Sequence, residues 1–190
     1  DQRPQRLTSG HINQTWVTGT HRGEKIVLQR LSAIFGSEVN RDLEAITEHL
    51  HEAGLETPRL LRTSDGQRWL EDANDPGRCW RALSFVEGET LLAADSAERC
   101  RRAGQLLGAF HRCLASCQHR LVHRRLGVHD TARHLAHLEE VSRGRGHRRN
   151  RLLEPLAREV LAFAAELRLP KALPERLVHG DPKISNILFD

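Results

Sequence analysis

His179-Gly180-Asp181-Pro182-Lys183-Ile184-Ser185-Asn186 is the stretch on which the reading of this chain turns. It is a polar loop between two short apolar runs, Leu177–Val178 and Ile187–Phe189, so it reads as a connection leaving one strand and entering the next. A loop of this kind can point Asp181, Lys183 and Asn186 at a common centre. Those side chains supply a carboxylate to accept the proton of an attacking hydroxyl, a cation to sit by a transferring phosphate, and an amide oxygen to help hold Mg²⁺. A plain turn would account for His179, Gly180 and Asp181, which are all turn-forming residues. It gives no reason for Lys183 and Asn186 to follow at these spacings.

Working outward, the residues before this loop divide into two regions of different character. Thr15–Val17 and Lys25–Leu31 are strand-like and joined by the turn material from Gly19 to Glu24. A helix follows, with Ser37 as its N-cap, Gly54 just past its end, and Val39, Leu43, Ile46 and Leu50 on one apolar face. Arg59–Thr63 and Gln67–Leu70 read as a hairpin about Ser64-Asp65-Gly66, and Cys79–Val86 reads as a further strand after the turn Asn74-Asp75-Pro76-Gly77. Beyond Glu87-Gly88 the pattern turns helical. Ala97–Cys117 carries Ala103, Leu106, Leu107, Phe110 and Leu114 on one face, and Asp130 caps a helix with Leu135, Leu138 and Val141. A last helix runs from Leu152 to Leu167, closed by Pro170 and Pro174. The expected fold class is α+β, with an antiparallel-sheet lobe over residues 1–86, a hinge near Phe85–Gly88, and a mainly helical lobe over residues 87–190.

Composition limits the remaining choices. The 190 residues hold 29 Lys and Arg against 25 Asp and Glu, a net charge near +4, and 38% hydrophobic residues. This mild basic excess suits a phosphate-handling enzyme and is too small to indicate nucleic acid. The Arg-rich segment from Arg143 to Arg151 has no interleaved aromatic residue for base stacking, so it reads as a solvated interhelical loop. No apolar run approaches the roughly 18 residues of a transmembrane helix, and the first ten residues lack a signal-peptide core. Cys79, Cys100, Cys113 and Cys117 form no C-x-x-C pair, which favours reduced thiols and a cytoplasmic location. His111, Cys113, Cys117 and His119 invite a zinc reading, but the cysteines suit an amphipathic helix as small apolar residues. No methionine is present, even at position 1, and we read the chain as a piece of a longer protein.

With Gly180 in place of Arg, the loop matches the kinase pattern H-R-D followed by four residues and Asn. Followed by an apolar run and Asp190, it resembles the aminoglycoside phosphotransferase and choline kinase family, which has a protein-kinase-like fold. Gly10-His11-Ile12-Asn13-Gln14-Thr15, Val27-Leu28-Gln29-Arg30-Leu31, and Trp80-Arg81 leading into Phe85-Val86-Glu87-Gly88 are similar to the N-acetylhexosamine 1-kinase branch. His129-Asp130-Thr131 with Arg133 resembles a further stretch of that branch. The resemblance spans the chain and implies an ATP- and Mg²⁺-dependent enzyme that phosphorylates a small hydroxylated acceptor. It casts Asp181 as the base, Lys183 as a phosphate contact and Asn186 as a metal ligand. Ser9, Gly10, His11 and Asn13 fall in the turn over the ATP phosphates. Phe85, Val86 and Glu87 form the hinge whose backbone binds adenine, and Asp130 and Arg133 touch the acceptor.

Two departures qualify that assignment. Kinases carry a Lys on the third strand, paired with a helix Glu, to hold the phosphates. Here the matching position is Gln29, or Arg30 if the register slips by one, with Glu44 or Glu48 as the helix partner. The second metal-binding Asp should lie well downstream of the catalytic loop. Asp190 follows Asp181 too closely, so that residue is expected after position 190, and the chain by itself is expected to be inactive and prone to associate. The missing strand Lys keeps open a different class, a nucleotide-binding module without turnover. The sequence carries no signal for an oligomeric state.

Overall fold

The computed structural model of this chain describes residues 3–7, 12–124, 127–144, 153–167 and 173–190. It comprises two compact units, Asp1–His123 with Arg176–Asp190, and Arg124–Glu175. The loop at 179–186 thus belongs to the same unit as the sheet.

The sheet is antiparallel and runs β1 (Gln5–Leu7), β2 (Gln14–Gly19), β3 (Lys25–Arg30), β6 (Cys79–Ser84), β4 (Leu60–Leu61), with β5 (Leu70–Glu71) also pairing with β6. Side chains alternate across a strand, so registered residues form rows on one face. Val17, Val27, Leu83 and Leu60 make one such row, and Thr15, Gln29 and Arg81 make another. Trp16 and Trp80 stand on the other face, with ring centroids 5.1 Å apart. The hairpin expected between Arg59–Thr63 and Gln67–Leu70 closes only at its tip, where the Thr63 N–H donates to Gln67 O at 2.9 Å. Its arms pair with β6 instead, because Arg62 and Arg68 on either side of the turn both reach Glu44 of the first helix.

That helix, α1 (Val39–Glu52), differs from its sequence reading at both its start and its faces. Glu38 is the N-cap and makes no side-chain cap bond, while Ser37 offers its carbonyl to the Asn40 backbone N–H and Nδ2. The buried side chains are Leu50 and four polar ones, Asn40, Asp42, Glu44 and Thr47. Asn40, Asp42 and Glu44 find partners off the helix, whereas Thr47 Oγ1 donates back to Leu43 O at 2.8 Å, and apolar spacing marks none of these positions. Gly54 does follow the helix end, with its N–H on His51 O at 2.9 Å.

α2 (Ala97–Leu114) begins at Ser96, whose hydroxyl accepts from Arg99 N at 3.2 Å. Only Leu114 of its expected apolar face is fully buried, and His49 Nε2 of α1 lies 2.9 Å from Cys113 O at its end. Short strands β7 (Glu89–Thr90) and β8 (Leu188–Phe189) pair, tying the segment after β6 to the segment after the polar loop. Gly88 stands at this junction with φ +140°, and a Cβ there would meet Phe189 O at 2.9 Å. In the second unit, α3 (Thr131–Arg143) packs on α4 (Leu153–Glu166), and Asp130 caps α3 as expected by accepting from Arg133 N at 3.0 Å. No helix among the described residues is long and apolar enough to cross a membrane.

Asp42 fixes the chain after α2. It accepts from Val122 N and His123 N, each at 2.8 Å, and from His119 Nε2 at 2.7 Å. Burial pushes this carboxyl up, but the bonds from His119, Val122 and His123 outweigh it and hold the group below its ordinary value of 3.8. A group depressed in the folded state stabilises above its unfolded pKa and loses that contribution as pH falls through the folded value. Asp42→Asn should therefore lower the unfolding free energy by about 1–3 kcal/mol at neutral pH. The gap to the parent protein should narrow as the pH is taken below 3.8, which urea unfolding at both pH values will check.

Candidate active site

The loop brings its three predicted residues together. Lys183 N donates to Asp181 O at 2.9 Å, and a single 3₁₀ turn, Ile184–Asn186, carries Asn186 back toward Asp181. Asn186 Nδ2 donates to Asp181 O at 2.9 Å and to Oδ2 at 3.2 Å, while Lys183 Nζ lies 3.2 Å from the same Oδ2. Gly180 takes φ +78°, a left-handed conformation that an Arg adopts only under strain, which accounts for glycine at this position. His179 is anchored to α2: its N–H reaches His111 Nε2 at 3.3 Å, and its ring meets Phe110 edge-on at 5.4 Å. His179 Nδ1 in turn accepts from Asp181 N at 3.3 Å, so the loop is held from both sides.

Asp181 is exposed, and its carboxyl is held below the usual carboxylate value, first by the bond from Lys183 and next by that from Asn186. It is therefore ionised at neutral pH and able to take a proton. Both Asn186 bonds use Nδ2, which leaves its Oδ1 as an oxygen donor beside the carboxylate. An amide oxygen next to a carboxylate is a suitable pair for a hard cation such as Mg²⁺.

The strand positions come out differently. Gln29 and Arg30 are consecutive, so they face opposite sides of the sheet. Arg30 lies on the face of Trp80, bonded to Asp72 and, at 2.9 Å, to Asp75, with its side chain 18% exposed. Glu44, expected as the helix partner of a strand cation, is taken by Arg62 at 2.8 Å and by Arg68. Glu48 is exposed. Gln29 is on the face of α1, but its side chain is turned to Arg81. Sequence reasoning passed over Arg81. The available signal was a lone cation inside the otherwise apolar strand Cys79–Ser84.

Of the turn residues, Ser9, Gly10 and His11 lie outside the described residues. Asn13 Oδ1 accepts from Ser32 N at 3.0 Å and so ties the turn to the exit of β3. Phe85 to Gly88 leaves the ladder after Ser84 as an irregular segment. Lys25 covers it, pairing with Glu87 at 2.8 Å and standing 4.9 Å over the Phe85 ring. Val86 is half-buried beside it. Asp130 and Arg133 sit at the start of α3 in the second unit. Among the described residues no cluster of His, Cys, Asp and Glu is arranged to hold a metal, and His119 is engaged by Asp42.

Known proteins resemble this chain over nearly its whole length. The model of the phosphotransferase enzyme family matches residues 4–190. A homoserine kinase of Sinorhizobium medicae (strain WSM419) is 29% identical over 192 residues, covering 96% of this chain and 53% of that protein. Among solved structures, an amicoumacin kinase in complex with AMP-PNP, Ca²⁺ and its ligand superposes with TM-score 0.58 at 14% identity, over 89% of this chain and 50% of its own. A spectinomycin phosphotransferase in complex with ADP and spectinomycin gives TM-score 0.58 at 12% identity, over 98% of this chain and 60% of its own. The chain thus spans about half the length of the curated relative it matches.

The loop geometry sets an order of effects on the Asp181 carboxyl. In carbon-13 titrations, Lys183→Met should raise its midpoint toward the ordinary value of 3.8, and Asn186→Ala should raise it by less. An unmoved midpoint in the Lys183 variant would show that the two side chains are not paired in solution.

Proposed function

Because the chain belongs to the phosphotransferase enzyme family, we propose that it carries the nucleotide-binding sheet and catalytic loop of an ATP-dependent small-molecule kinase. The observation that carries this reading is the meeting of Asp181, Lys183 and Asn186 within one loop. Asp181, ionised and exposed, accepts the proton of an acceptor hydroxyl as its oxygen bonds to the γ-phosphorus and ADP departs. Lys183 exchanges its contact with Asp181 for one with the transferring phosphate. Asn186 Oδ1 would be a ligand for Mg²⁺, which when bound would supply positive charge to the phosphate oxygens. Peptide groups of Phe85 to Glu87, released from the ladder, bind the adenine edge, and the turn from Ser9 to Asn13 covers the phosphates. Asp130 and Arg133 are the candidates for touching the acceptor.

The acceptor we favour is an N-acetylhexosamine at its anomeric hydroxyl, from the stretches Gly10–Thr15 and Trp80–Gly88. Homoserine, aminoglycosides and amino alcohols are the alternatives, the first suggested by the 29% identical homoserine kinase. Assaying ADP release from the full-length protein with each class separates them. ATP affinity without turnover on any acceptor would favour the silent nucleotide-binding module instead.

Two substitutions test the roles. Asp181→Asn keeps the shape of the side chain and removes the proton acceptor, so turnover should fall about 10²–10⁴-fold with ATP affinity almost unchanged. Near-normal turnover would exclude Asp181 as the base. Asn186→Ala should shift the Mg²⁺ dependence of the rate to higher concentration, because one oxygen ligand is lost. An unchanged metal titration would remove Asn186 from the site.

A further inference from the structure

Arg81 is a half-buried cation without a carboxylate partner among the described residues. Its bonds go to neutral amides. Nε and Nη2 donate to Gln29 Oε1 at 3.0 and 2.7 Å, and Nη1 donates to Asn40 Oδ1 at 3.2 Å. Less exposed arginines of the same unit are treated differently: Arg30 pairs with Asp72 and Asp75, and Arg68 pairs with Glu44. Burying a charge without a counter-charge is costly, and here burial alone lowers the Arg81 pKa to about 10. A fold keeps such a group at low cost only if an anion arrives to meet it.

The orientation of Arg81 is fixed from both sides. Gln29 Nε2 donates to Thr15 Oγ1 at 3.2 Å, which turns the Gln29 oxygen toward the guanidinium. Asn40 Nδ2 is held by Ser37 O at 2.8 Å, which does the same for its oxygen. A guanidinium has five N–H donors in a planar fork. The three bonds to Gln29 and Asn40 leave one donor on each terminal nitrogen for an anion. Thr15 and Gln29 lie in the same cross-sheet row as Arg81, and β2, which carries Thr15, begins at Gln14.

We propose that Arg81, presented by Gln29 and Asn40 on the α1 face of the sheet, is the cation that binds the α- and β-phosphates of the nucleotide. The charge that other kinases place on the third strand is moved one strand across, and Gln29 keeps the vacated position as the holder of the new cation. The inference rests on the phosphotransferase reading above.

Nucleotide binding by the full-length protein, measured calorimetrically with ATP, ADP and adenosine, tests it. Arg81→Met should weaken ATP and ADP by about 10- to 100-fold and leave adenosine unchanged. Adding Gln29→Lys to that variant returns a cation to the same face and should recover most of the lost ATP affinity. A merely structural Arg81 would instead weaken adenosine and ATP alike, with no recovery. If Arg81→Met does not fold, Gln29→Lys combined with Arg81→Gln carries the test, since it exchanges amide and cation between the strands. Retained ATP binding in that exchange supports the proposal, and loss of ATP with adenosine retained overturns it. Parent protein that binds ATP beside an Arg81→Met variant of equal affinity overturns this inference alone. Parent protein with no affinity for ATP removes the phosphotransferase reading, and this inference with it.

Discussion

Helix α1 docks by polar bonds, and the position of everything around the sheet depends on them. Asn40, Glu44 and Thr47 recur at helical spacing on one side, while Asp42 projects from the other. Asn40 meets Arg81 and Cys79 on β6, and Glu44 clamps Arg62 and Arg68 around the turn after β4. Asp42 gathers the chain at 119–123 on the reverse side. Apolar contact resists sliding and rotation only weakly, because it has no preferred direction. A buried carboxylate or amide left unpaired costs about 1–3 kcal/mol, so each of these bonds selects one rotation of the helix over its neighbours. The rotation selected is the one that aims Asn40 at the guanidinium.

From that constraint follows the division of charge between the faces of the sheet. One face carries Trp16, Trp80 and the closed cluster of Arg30 with Asp72 and Asp75, where the bond from Arg30 holds the Asp72 carboxyl below its usual value. Arg78 joins that cluster through Asp75 at 2.8 Å, so two arginines balance two carboxylates, and Trp80 Nε1 adds a further donor to Asp72 at 3.2 Å. The opposite face carries Thr15, Gln29 and Arg81, where hydroxyl and amides orient a cation without cancelling it. Neutral partners leave the electrostatic demand of the guanidinium open, whereas carboxylates would have met it. The two arrangements lie on adjacent residues of β3, Gln29 and Arg30, because a strand turns successive side chains to opposite faces.

Legibility in the sequence followed the range of the interactions concerned. The meeting of side chains in the loop at 179–186 could be read because its bonds are local: Asp181, Lys183 and Asn186 are close in sequence and the 3₁₀ turn closes them on one another. The caps at Ser96 and Asp130, and the hairpin of β2 and β3, are local in the same sense. Errors arose where a polar side chain finds its partner far along the chain. Glu44 met arginines from beyond the next strand, and Asn40, whose amide holds the Ser37 carbonyl where a Ser37 cap was expected, also bonds Arg81 on β6. Glu44 and Arg30 carried the right charges for a phosphate-site pair, but only the register of β3 on β6 reveals that they belong to separate clusters. β1 was missed because Gln5–Leu7 is polar and exposed, with no alternation to detect.

A cation in a sheet is defined by the row it occupies, and a row runs across strands. Residues directly opposite in an antiparallel pair have Cα atoms about 4.5–5.5 Å apart, a distance that the reach of a long side chain can make up. Gln29 and Arg81 are such a pair, so a charge can pass from one to the other while its tip stays over the same point of the face. The loop at 179–186 has no comparable freedom, because Gly180 keeps its left-handed turn and the bonds among Asp181, Lys183 and Asn186 close within a few residues. The loop is therefore legible from neighbouring residues, whereas the place of a sheet cation emerges only when the strands are in register. A lone Arg in an apolar strand, opposite an amide on the adjacent strand, forms a pair that spacing along one strand does not reveal.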